Sequence, residues 1–198
     1  MGTSDQIKNY EKPHIDYRRA VDASNINKDR LKDVLARLVK QYGPIEKENA
    51  YSEVLSAHGI SRIGSRLRRK LNSAFGSLSR GEGFVERNEF LWPPRDGLDL
   101  KLRKNNNNDK RDIEEIAGME IAKAALLILS SGYKIKKEEL IAEVARLFGF
   151  QRAGRKIQAR VGKVIDFLRK KGMVQKDGDL ILYQGTDIDG SIKNLVYN

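Results

Sequence analysis

Arg62, Arg66, Arg68 and Arg69 fall within eight residues, and Arg152, Arg155, Lys156, Lys163 and Lys170 fall within nineteen. Guanidinium and ammonium groups at this density suit phosphate oxygens, arginine as a planar fork and lysine as a point charge. Between 62 and 80 the chain carries six Arg or Lys and no acid; between 152 and 171 it carries eight against one Asp. The net charge of the whole chain is +11, so these two stretches hold all of the basic excess. That is the footprint of a nucleic-acid binder. One basic helix face is often only solvated surface, but two at matched positions favour the polyanion. Ser65 adds a hydroxyl to the first set, and Arg87 and Lys176 stand near two turn signals from which they could reach a neighbouring backbone. Arg62 and Arg152 each lie between two glycines, where holding the turn through carbonyl bonds is the alternative role.

Catalytic constellations are weak. Asp96, Asp99 and Lys101 have the order of a metal-dependent nuclease site, but they stand in a Pro-, Gly- and Asn-rich stretch with no strand to converge them. Asp187-x-Asp189-Gly190 begins like a calcium loop and lacks the bidentate Glu. His14 and His58 are far apart in the chain, and there is no cysteine for a disulfide or a thiolate zinc site. Trp92 and Tyr183 end two hairpin patterns and read as core lids rather than base-stacking platforms. The expectation is a chain that is no enzyme, with no cofactor and no bound metal.

The elements that would position the basic residues are written twice. Gly59-Ile-Ser-Arg62-Ile-Gly64-Ser-Arg-Leu67 recurs as Gly149-Phe-Gln-Arg152-Ala-Gly154-Arg-Lys-Ile157, ninety residues on, and the echo needs no gap from about 45 to 91. Two copies at that spacing suggest a duplicated small domain rather than a solenoid. After each glycine pair, Leu67, Leu71, Ala74, Phe75 and Leu78, and then Ile157, Val161, Val164, Ile165 and Leu168, mark one face of a helix. The opposite face carries Arg62, Ser65, Arg69 and Ser73 in the first, and Arg155, Ala159, Lys163, Asp166 and Lys170 in the second; Arg66, Arg68 and Lys156 lie on the flanks. Two shorter helical patterns precede each basic helix, with Ile45 and Ile135 between them as single-strand candidates. A hairpin follows each, with Asp177-Gly178 as the turn pair and Asn88 in the glycine's place.

Three helices and a hairpin give the expected fold class: mainly α with small β wings (α+β), arranged as tandem winged helix-turn-helix domains whose third helix could enter a major groove. The expected boundaries are an N-terminal extension over 1–28, partly disordered, a first copy over 29–94, and a flexible linker over 95–111. A second copy over 112–184 and a C-terminal tail over 185–198 complete the chain. No apolar run reaches membrane-spanning length and the amino end has no signal-peptide core, so no membrane partner and a cytoplasmic protein are expected.

Several stretches together resemble one family. They are Gly59-x-x-Arg62-x-Gly64-Ser65-Arg66-Leu67, Phe90-Leu-Trp-Pro-Pro94, Asp112-Ile-Glu-Glu-Ile116 and Glu138-Glu-Leu-Ile-x-x-Val-Ala-Arg-Leu147 followed by Gly149-Phe150-x-Arg152-x-Gly154. In this order, over about 30 to 185, they are similar to the domain of unknown function at the carboxyl end of large superfamily 1 DNA/RNA helicase-like proteins. The resemblance implies attachment to a helicase motor and work on nucleic acid; it brings no assigned binding residues. The chain has no Gly-x-x-x-x-Gly-Lys-Ser/Thr phosphate loop, so it would be an excised carboxyl-terminal piece or a free-standing relative without ATP hydrolysis of its own. The functional expectation is a non-enzymatic nucleic-acid-binding module, on DNA rather than RNA, gripping backbone and shape. The alternative is a protein-interaction or dimerisation module that docks a helicase to a partner.

Overall fold

The computed structural model describes residues 6–15, 26–132, 134–183 and 185–198. In chain order the elements are β1 (Ile7–Asn9), α1 (Lys28–Tyr42), β2 (Ile45–Glu46), α2 (Lys47–Ser56), α3 (Ser65–Glu82), β3 (Val85–Arg87), β4 (Phe90–Trp92), β5 (Leu102–Lys104), α4 (Gly118–Leu129), β6 (Ile135–Lys136), α5 (Lys137–Leu147), α6 (Arg155–Lys170), β7 (Val174–Asp177), β8 (Leu180–Tyr183) and α7 (Ile188–Tyr197). The chain is thus mixed α and β, mostly helical with small sheets. None of the described helices is long and apolar enough to cross a membrane. The chain divides into a first unit, Pro13–Asp99, and a second, made of Met1–Lys12 with Leu100–Asn198.

In the first unit the apolar stripe of α1 (Leu31, Val34, Leu35, Leu38, Val39) packs with Ala50, Tyr51, Val54 and Leu55 of α2 and with the apolar face of α3. Leu31, Leu35, Leu71 and Leu78 are wholly buried, and each such side chain contributes about 1.5–3 kcal/mol relative to exposure. A three-stranded sheet of order β2-β4-β3 closes one end.

The second unit repeats the plan with α4, α5, α6 and a sheet of order β6-β8-β7. The correspondence holds residue by residue at an offset of ninety. Ile45 pairs with Leu91 and Glu86 with Leu91 in one sheet; Ile135 pairs with Ile181 and Lys176 with Ile181 in the other. His58 occupies the place of Phe148; both are buried, and the His58 ring Nδ1 lies 2.7 Å from the Val54 carbonyl, so this histidine packs.

The glycine motif joins two helices. Gly59 and Gly149 take φ of +75° and +84°, the left-handed conformation that ends a helix. Beyond each, Ile60 N–H donates to the Leu55 carbonyl and Phe150 N–H to the Ala145 carbonyl, closing the last turn. Gly64 and Gly154 are extended and cap the next helix.

Four details depart from expectation. The hairpin turns are Asn88-Glu89, both at positive φ, and Gly178-Asp179; Asp177 is still in the ladder, paired with Leu180, and its carboxylate lies 2.6 Å from Lys134 Nζ. The stretch 95–111 is no exposed linker: Leu98, Leu100 and Leu102 are buried and 102–104 form β5, parallel to β1. The N-terminal extension, expected over 1–28 and partly disordered, supplies a strand to the second unit at 7–9, while 1–5 and 16–25 lie outside the described residues. The C-terminal tail is the helix α7, capped by the Asp187 side chain and packed on α4 through Ile192 and Val196.

The second unit also contains a polar core that its sequence does not advertise. Glu120 on α4 is fully buried. It accepts from Arg103 Nη2 at 2.6 Å, from Arg103 N–H at 3.0 Å, and from Arg111 Nη2 and Nη1 at 2.9 and 3.1 Å. Burial pushes the Glu120 carboxyl up, but the two guanidiniums outweigh it and hold the group down at about 2. Arg111 also donates to the Arg103 carbonyl at 2.6 Å and lies over the Tyr10 ring at 4.6 Å. Lys123, on the same helix and equally buried, donates to the Leu100 carbonyl at 2.6 Å and pairs with Asp189 of α7 at 2.7 Å.

Candidate nucleic-acid interface

Each basic set is carried by a helix whose other face is core, except that Arg62 and Arg152, expected on the outer faces, stand in the loops before α3 and α6. Leu67, Leu71, Ala74, Phe75 and Leu78 of α3, and Ile157, Val161, Ile165 and Leu168 of α6, are buried, so the polar residues between them turn outward. Arg62, Ser65, Arg66, Arg68, Arg69 and Ser73 are all exposed, as are Arg152, Arg155, Lys156, Ala159, Lys163 and Lys170. Neither helix has a side-chain cap, because Gly64 and Gly154 stand at the capping position. Neither has an acid in its first turn. Both helix entrances are therefore positive in backbone dipole as well as in side-chain charge.

Neighbouring carboxylates divide the cations. Arg68 forms a two-point pair with Glu48 of α2, with Nη2 donating to Oε2 at 2.8 Å, and Lys156 lies 3.5 Å from Glu114. Lys70 and Arg160 are clamps: Lys70 Nζ donates to the Ile26 carbonyl at 3.0 Å and Arg160 Nη2 to the Ile116 carbonyl at 2.8 Å. Lys170 shares the field of Asp166, which Lys137 and the nearby cations hold below the usual carboxylate range. Arg62, Arg66, Arg69, Arg152, Arg155 and Lys163 form no ion pair among the described residues. Among the described residues, Arg62 and Arg152 make none of the carbonyl bonds that a turn-holding role would need.

The hairpins treat their two basic residues differently. Arg87 ends β3, pairs in register with Phe90 and is half-buried; Lys176 in β7 is exposed. Trp92 is 2% exposed, too enclosed to stack on a base. Asp96 belongs to a short turn over Arg95–Gly97, Asp187 caps α7 by accepting from Gly190 N–H at 2.8 Å, and Asp189 serves Lys123. No cluster of three or more His, Asp or Glu able to hold a metal ion occurs among the described residues.

A family described as a protein of unknown function (DUF3320) matches residues 23–69, about a quarter of the chain, ending inside the first turns of α3. No curated protein and no solved structure matches the chain.

Proposed function

We propose that the chain is a non-enzymatic module of two winged helix-turn-helix domains that binds nucleic acid, mainly duplex DNA, through its phosphates. One observation carries the reading. At matching places at the entrances of α3 and α6, Arg62 with Arg66 and Arg69, and Arg152 with Arg155, stand exposed beside uncapped backbone N–H groups and without a carboxylate partner among the described residues. Groups so arranged bind phosphate oxygens by charge-assisted hydrogen bonds. The outer face of α6 includes Ala159 and the engaged Asp166, which favours backbone and shape over base reading. We read the ninety-residue correspondence as an ancestral duplication, and attachment to a superfamily 1 helicase motor as the module's natural setting.

The test is a titration of labelled duplex DNA, duplex RNA and single strands across salt concentrations. Binding to duplex DNA should be tightest, with a log–log slope of about −0.9 for each phosphate neutralised. Reversing Arg66, Arg69, Arg155 and Lys163 to Glu should abolish it. A flat slope, or wild-type affinity in that variant, rejects the reading in favour of a protein-docking module.

A further inference from the structure

The two units share a scaffold but not a charge. Lys47 and Lys137 open α2 and α5 at equivalent positions. In the first unit the hairpin residue opposite Leu91 is Glu86, and Lys47 Nζ donates to both its oxygens at 2.9 Å. In the second unit the same register position, opposite Ile181, is Lys176. Lys137 cannot pair with it and turns to Asp166 on α6 at 2.8 Å, where the first unit has Gly76. Lys176 is left exposed, with no carboxylate partner among the described residues. It lines an open groove with Lys136, Lys137 and Arg169, from the last turn of α6, alongside Glu138, Asp166 and Asp179, so the cations outnumber the acids by four to three.

Three neighbouring positions move the same way: Glu46 becomes Lys136, and Ser79 and Gly81 become Arg169 and Lys171, while Glu89 keeps its sign as Asp179 and Arg87 is replaced by Asp177. The cations of α3 sit at its entrance, apart from Arg80; those of α6 run from Arg155 through Lys163 to Lys170 and on to the hairpin.

We propose that the footprints on nucleic acid are unequal. A phosphate backbone follows the second unit from the entrance of α6 down to its β7–β8 hairpin, held there by Lys176, Lys136 and Arg169. The first unit touches only at the entrance of α3. Its hairpin edge, bearing Glu46, Glu89 and a Glu86 already paired with Lys47, offers no net positive charge, and Arg87 does not contribute. This rests on the nucleic-acid reading above.

Lys176→Glu and Glu86→Lys in the full-length chain test it, because each installs the residue that the other unit already carries at that register position. Circular dichroism checks that both fold. Lys176→Glu should weaken duplex binding and flatten the salt slope by about one. Arg87→Gln should leave affinity and slope unchanged, and Glu86→Lys should strengthen binding. Arg155→Glu with Lys163→Glu is the control for the underlying reading. If that control loses binding while Lys176→Glu binds as wild type, or if Arg87→Gln flattens the slope as much as Lys176→Glu does, the unequal footprint is wrong and nucleic-acid binding stands. If the control binds as wild type, both fall.

Discussion

Arg160 does in the second unit what Lys70 does in the first. Each reaches from the third helix to the carbonyl of an isoleucine before the first helix, Ile116 and Ile26, and donor and acceptor both shift by ninety. Both isoleucines are buried, at 0 and 2% exposure, and the bonds are partly buried, so each ties the third helix to the segment that leads into the first. Two of the cations that make the helices basic therefore work inside the fold. Arg160→Met and Lys70→Met should each destabilise by about 1–3 kcal/mol, the cost of an orphaned buried acceptor. Urea denaturation measures this; binding of DNA at low salt should persist in both.

Arg68 and Arg69 are neighbours on α3 with different fates. Arg68 is neutralised by Glu48, and Arg69 has no carboxylate among the described residues. Arg69→Ala should lower affinity and remove about one unit of salt slope, whereas Arg68→Ala should change the slope much less. Equal effects would mean that the Glu48 pair opens on binding, and Glu48→Gln would then tighten the complex.

The Glu120 cluster predicts a pH signature. A carboxyl held at about 2 against an ordinary 4.5 contributes stability that is fully present above pH 4.5 and is lost as pH falls through 2. Wild-type chain should therefore weaken over that window, in denaturant midpoints measured at successive pH values. Glu120→Gln should lack this component. At neutral pH it should already be less stable by about 3–5 kcal/mol, because Arg103 and Arg111 remain buried without a counter-charge.

Gly149→Ala should be costly. Its φ is +84°, and a Cβ there would meet the Asn105 carbonyl oxygen at 2.8 Å. The left-handed backbone alone costs about 1–2 kcal/mol in a residue with a Cβ, and the obstacle is main chain that cannot swing away. Thermal unfolding should show the loss, and a compensating change at Asn105 should not restore it.

The part of the fold written locally in the sequence was legible. Apolar residues at helical spacing announced α1 to α6, Gly59 and Gly149 marked helix ends, and hairpins followed both basic helices. The exposed positions of Arg66, Arg69, Arg155 and Lys163 followed from the same periodicity, whereas Arg62 and Arg152 are exposed in the loops before α3 and α6. What escaped was non-local. β5 finds its partner strand about ninety-five residues earlier, and no spacing rule reaches that far. Asn105 and Asn106 looked like polar filler, yet Asn105 bonds both backbone groups of Arg111 and Asn106 donates to the Tyr10 carbonyl. The burial of Arg103 and Arg111 is not written in their own stretch, because their counter-ion, Glu120, sits on another element, the helix α4. Neutralisation of Arg68 was invisible for the same reason, since Glu48 lies twenty residues away on another helix.

The parallel pairing of Ile7–Asn9 with Leu102–Lys104 makes the first unit an insertion: the chain begins one structure, interrupts it to build another, and then returns. During synthesis the leading strand must wait for its neighbour until the ribosome has passed residue 104, by which time 13–99 has been translated in full. The two halves are joined by two covalent crossings rather than one, so a single protease nick near residue 12 or residue 99 leaves them tethered. Removing residues 7–9 would injure the second unit and spare the first.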